Sequence, residues 1–63
     1  MKKLEKMISK QIYVLNKINE SWTKQLLIEL EHLSNWSVTY QINTLAKFKR
    51  LIRKMGYEFD YDF

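Results

Sequence analysis

Leu4, Ile8, Ile12, Leu15, Ile18, Trp22, Leu26, Leu30 and Leu33 cross twenty-nine residues in eight steps, an average spacing of about 3.6. That is the period of a straight helix rather than the 3.5 of a left-handed coiled coil. Lys3, Lys10, Lys17 and Lys24 keep a seven-residue interval beside it and read as a solvated stripe. Both patterns pass through Asn19, Glu20 and Ser21 without interruption, and predict one helix over residues 3–33, roughly 45 Å long. The rival reading breaks the helix there, with Asn19 or Ser21 as cap of a second one. Trp22 and Lys24 then occupy the third positions, where a capping box wants Glu or Gln.

Ser34, Asn35, Trp36 and Ser37 form the polar cluster of mid-chain and predict a turn over 34–37. Asn35 suits the left-handed conformation that ends a helix, and Ser37 suits the cap of the next. A second helix is expected over residues 38–55, with Val38, Ile42, Leu45, Phe48, Leu51, Ile52 and Met55 as its apolar set. Gly56 is its terminator. Beyond it Tyr57, Phe59, Tyr61 and Phe63 alternate with Glu58, Asp60 and Asp62, the period-two signature of a short strand over 57–63.

The expected fold is thus all-α, a helical hairpin of unequal arms in one small domain over residues 1–63, ending in an aromatic strand. The long arm overhangs the short one and carries Leu4, Ile8 and Ile12. With Leu15 and Trp22 these positions predict the interface of a homodimer, because a chain of this length buries only about 60% of its unfolded surface. Cysteine is absent, so disulfides cannot make up the deficit.

Charge divides the chain. Residues 1–55 hold eleven basic and four acidic groups, a net of +7, and the last eight residues hold three acids. The longest apolar run is Ile12 to Leu15, so neither an export signal nor a membrane span is expected and a cytoplasmic location is. The wealth of Lys, Ile, Asn, Tyr, Phe and Met, all with AT-rich codons, fits a low-GC bacterium, its phages or its plasmids.

Catalytic chemistry finds few parts. With one histidine and no cysteine, and without a glycine-rich loop, the chain does not assemble a nucleophile, a base and an oxyanion site. Glu29 and His32 have the Glu-x-x-His spacing of di-iron bundles, but such a site needs carboxylates from two further helices. Asp60 and Asp62 are separated by a ring that suits a strand better than a metal loop. No enzyme, metal or cofactor is expected. Lys47, Lys49, Arg50, Arg53 and Lys54 make residues 45–54 the best nucleic-acid candidate, although Glu58, Asp60 and Asp62 follow closely and repel phosphate. Trp22 lies on the apolar stripe and reads as core. Trp36 lies in a turn and reads as an interface residue.

From Ser37 to the GYEFDY segment, with Ile52 four residues before Gly56, the chain resembles the recognition-helix-to-wing passage of winged-helix repressors. In plan the hairpin is similar to the Rop family of plasmid RNA-binding dimers. Both resemblances imply a nucleic-acid-binding regulator, and neither rests on a motif that assigns a family.

The alternating tail favours another reading. Paired antiparallel with its own copy about Asp60, the strand would set Glu58 against Asp62, a destabilising arrangement. It is therefore expected to dock on its own basic helix or to add to the sheet edge of a basic partner. The function expected is that of a small non-enzymatic regulator, an inhibitor or adaptor of phage or mobile-element type. It binds a protein target through Trp36, Tyr57, Glu58, Phe59, Asp60, Tyr61, Asp62 and Phe63. The alternative is a helix-turn-helix-like or Rop-like nucleic-acid binder using the basic helix.

Overall fold

The structure, a computed structural model, describes residues 2–58. Three helices and one short turn of 3-10 helix follow one another: α1 Lys2–Ile18, α2 Ser21–Glu31, the 3-10 turn Leu33–Asn35, and α3 Val38–Lys54. The described residues are all-α. Tyr57 and Glu58 carry no regular secondary structure, and the remainder of the expected strand, 59–63, lies outside the described residues.

The single helix over 3–33 is not what forms. The chain turns after Ile18, where Asn19 takes a left-handed conformation with φ 49°. Its N–H donates to the Leu15 carbonyl at 3.0 Å, which closes α1. The cap of α2 is Glu20, neither of the two residues expected. Thr23, three positions on, supplies the hydroxyl: it donates to the Glu20 carbonyl at 2.7 Å and accepts from the Glu20 N–H at 3.1 Å. A phase-continuous stripe could not reveal this fold-back. A helix that doubles over needs apolar residues on both halves, at the positions one long helix would use.

Folding at Asn19 lays α1 against both α2 and α3. Leu4 and Leu15 from α1, Leu30 and Leu33 from the second leg, and Leu45, Phe48 and Ile52 from α3 form one buried core. Met7, Ile8, Ile12, Ile18, Trp22, Leu26 and Leu27 pack around it, half-buried. Each fully buried Leu, Ile or Phe contributes about 1.5–3 kcal/mol. Gln11 is also buried, and its Nε2 donates to the Leu45 carbonyl at 3.1 Å, tying α1 to α3.

On α3 the expected apolar set is divided. Gln41, Thr44, Leu45, Phe48 and Ile52 face the core at helical spacing. Val38 and Ile42 stay on the adjoining exposed face, and Met55, in the turn that follows the helix, is exposed as well. Ser37 caps α3 as expected, its Oγ accepting from the Tyr40 N–H at 3.2 Å. Gly56 terminates it at φ 94°. There the Gly56 N–H donates to Arg53 and the Tyr57 N–H to Ile52, the paired bonds of a Schellman motif.

Candidate interaction surfaces

With the core closed inside one chain, the residues left outside it define where contact can occur. Trp36 is 56% exposed, although its backbone is held from both sides. Its N–H donates to the Leu33 carbonyl at 3.1 Å, and its own carbonyl accepts from Gln41 Nε2 at 2.8 Å. The indole packs against Tyr40, ring centroids 5.2 Å apart. Tyr40 donates its hydroxyl to Glu29 Oε1 on α2 at 2.9 Å. That hydrogen bond, then the carboxylate's charge, raises the phenol above its ordinary pKa of 10.0. Ile28 on α2 and Val38 and Ile42 on α3 are exposed as well. The pole where α2 gives way to α3 thus presents an aromatic pair in tilted contact, its rings inclined by 45°.

The opposite pole lies one α3 length away, about 25 Å by helical rise. There Tyr57 leaves the Schellman turn and meets Trp22, ring centroids 6.1 Å apart. Tyr57 and Glu58 line a shallow hollow of about 330 Å³ with Tyr13, Val14, Lys17 and Ile18 of α1. Tyr13 is 61% exposed and carries the Lys17 ammonium 5.5 Å from its ring centroid. Sequence pattern gave no signal for Tyr13. Its offset from the apolar stripe marks it only as a surface ring.

Of the residues expected to contact a protein partner, Trp36, Tyr57 and Glu58 are exposed, on two separate poles. Phe59, Asp60, Tyr61, Asp62 and Phe63 lie outside the described residues. The expected dimer surface is consumed internally. Leu4 and Leu15 are core, and Ile8, Ile12 and Trp22 pack against it, because the turn at Asn19 removes the overhang that left them uncovered.

The basic set of α3 is not one uniform face. Lys47, Arg50 and Lys54, at i, i+3 and i+7, are exposed and line up opposite the core, with Arg53 exposed beside them. Lys49 is half-buried on the neighbouring arc and already engaged. Helix α3 itself carries no acid.

Glu29 and His32 do not converge on a shared site. Glu29 accepts from Tyr40, and His32 is the exposed C-cap of α2, its N–H bonded to backbone carbonyls. Among the described residues no three potential metal-ligating side chains gather, and no helix is long and apolar enough to cross a membrane. Comparison of the chain with protein-family models, curated proteins and solved structures gives no significant match.

Proposed function

We propose that this protein is a small non-enzymatic regulator that acts by binding a protein target, an inhibitor or adaptor of the phage or mobile-element kind. The observation that supports it is Trp36. A large ring held at 56% exposure, packed at a tilt against Tyr40 on a backbone that Gln41 holds, is pre-organised for contact. Aromatic anchors dominate interface energetics, and a fixed anchor loses little entropy on binding. Tyr57 and Glu58, where the aromatic and acidic segment begins, offer a second contact at the other pole, and two poles suit an adaptor that joins two surfaces.

One observation favours a second reading, a nucleic-acid-binding regulator. Lys47, Arg50 and Lys54 are aligned and exposed on an acid-free helix, an arrangement that can follow phosphates.

Affinity capture from host lysate, with and without nuclease, separates the two when run on three forms of the full chain. On the first reading, W36A/Y40A loses a nuclease-resistant protein partner that R50E/R53E retains. Capture that vanishes with nuclease and with R50E/R53E, and survives W36A/Y40A, transfers the assignment to nucleic acid.

A further inference from the structure

The lysine interval of the first leg changes meaning once the chain folds back at Asn19. Lys24 passes to α2 and leaves the row, while Lys6 and Tyr13 join it. Lys3, Lys6, Lys10, Tyr13 and Lys17 are all exposed and fall within an arc of about 80° on α1, opposite Leu4 and Leu15. The row is about 21 Å long. Glu5, the acid of α1, lies off this arc and shares a hollow with Lys3, Lys6 and Ser9.

A solvated helix face is better served by alternating charge. Here Lys3 and Lys6 are three residues apart and Lys6 and Lys10 four apart, so like charges adjoin. The first of them also stand at the positive end of the helix dipole. The free helix gains nothing from this arrangement, whereas a polyanion meets an unbroken row of cations. Charge is segregated across the whole bundle in the same sense. Ten of the eleven basic residues lie on α1 and α3, and three of the four acids before Gly56 lie on α2 and its cap, so phosphate is repelled from the α2 side.

We propose that the outer face of α1 binds single-stranded nucleic acid, with Lys3, Lys6, Lys10 and Lys17 along the phosphates and Tyr13 as a stacking platform for a base. The ring is what selects a single strand, because only unpaired bases present a face to it. Tyr13 is 61% exposed and carries the Lys17 ammonium 5.5 Å from its centroid. It lines the hollow of about 330 Å³ that a second ring, Tyr57, also lines, a volume within the range of small-molecule sites. Glu58 lines that hollow too, and keeps phosphate to the lysine side of the ring. The aligned cations of α3 have no such platform, since Tyr40 is bonded to Glu29 and Phe48 is buried. The α1 face is separate from both Trp36 and the basic arc of α3, so it stands or falls independently of the two functional readings.

The test is fluorescence anisotropy of a labelled oligothymidylate of about twelve nucleotides, titrated with the full chain across a salt series. Four lysine–phosphate contacts predict a slope of log affinity against log salt of about −3. K10Q/K17Q should flatten that slope by about 1.4 units, and R50Q/R53Q should leave it as it is. Tyr13→Ala should weaken binding about fivefold or more at every salt concentration with the slope unchanged, and Tyr13→Trp should restore it. Should K10Q/K17Q lose its helical circular dichroism, K3Q/K6Q carries the same expectation. No binding at low salt overturns the proposal, as does binding indifferent to Tyr13→Ala or a duplex of equal length bound as tightly. A slope that R50Q/R53Q flattens and K10Q/K17Q does not would overturn it in favour of α3. Retention on anionic phospholipid vesicles without oligonucleotide binding would overturn it in favour of a membrane surface.

Discussion

Replacing Thr23 with valine tests whether the chain doubles back at Asn19, and the sign of the effect is what decides. Thr23 is fully buried and its hydroxyl bridges the start of α2, donating to the Glu20 carbonyl at 2.7 Å and accepting from the Glu20 N–H at 3.1 Å. Valine keeps the shape and removes both bonds. The carbonyl keeps its backbone bond from the Thr23 N–H, but the Glu20 N–H must turn to water. Loss of a capping interaction costs about 0.5–2 kcal/mol, and each net hydrogen bond is worth about 1. The expected loss for T23V is therefore about 1–2 kcal/mol. A chain of 63 residues has about 3–9 kcal/mol of total stability. The midpoint of thermal unfolding should fall by about 5–15 °C, with the urea m-value unchanged. Were residues 3–33 one continuous helix, the same change would exchange a polar for an apolar residue of similar helix propensity on a buried face. T23V would then be neutral or stabilising. Urea titration followed by far-ultraviolet circular dichroism reads the difference, and a variant as stable as the parent refutes the fold-back.

Leu15→Ala, at a fully buried position of α1, should cost about 2–5 kcal/mol and leave the chain largely unfolded at 37 °C; a loss under 0.5 kcal/mol in the same titration would remove Leu15 from the core. Gly56→Ala should cost about 1–2 kcal/mol although open space surrounds the new methyl, because φ 94° and not crowding excludes it; an unchanged midpoint would mean the Schellman turn is not formed. Glu29→Gln should lower the Tyr40 pKa toward 10.0 by replacing the carboxylate whose hydrogen bond, and then whose charge, raises it. As the folded pKa is the higher one, this pair's stability is complete below pH 10 and lost as pH rises through the raised value, so the unmodified chain should lose its advantage over Y40F there. Absorbance titration near 295 nm, differenced against Y40F, reads both, and identical Tyr40 curves with and without the Glu29 carboxylate refute the pairing.

The parts of the fold legible in sequence were those set by local chemistry. Ser37 announced its own cap and Gly56 its own stop, and the apolar period announced helical structure though not the break at Asn19, because each depends on neighbours within about four residues. What stayed hidden depends on contacts across the fold. Asn19 and Ser21 were the conventional caps, and Glu20 took the role because a buried threonine three residues later could complete it. Val38 and Ile42 matched an apolar pattern on α3, but Gln41 and Thr44 turned inward instead. Gln11 bonds a carbonyl of α3 across the core, a pairing separated by 34 residues that no local reading contains. Trp36 was legible as an exposed ring because it lies in a turn. Tyr13 was not, because its importance comes from Tyr57, which only the closed bundle brings near it.

The fold-back also changes what the exposed rings mean. In an open hairpin with an uncovered arm, surface aromatics are remnants of an incomplete core, and a second copy is the natural cover. In a bundle whose Leu15, Leu33, Leu45 and Ile52 are wholly inaccessible, the core no longer needs them. Trp36 and Tyr40 stay outside while held by Gln41, Ser37 and Glu29, and ordering a large apolar pair without burying it brings little stability to the free chain. That expenditure makes sense if the pair is buried elsewhere, against a surface that this chain does not supply. The same reasoning sets the two poles apart. Trp36 is fixed before any partner arrives, so its contact should depend on shape. At the other pole Glu58 is an exposed charge, so on the proposed protein-binding reading a contact made there should be the one that salt weakens.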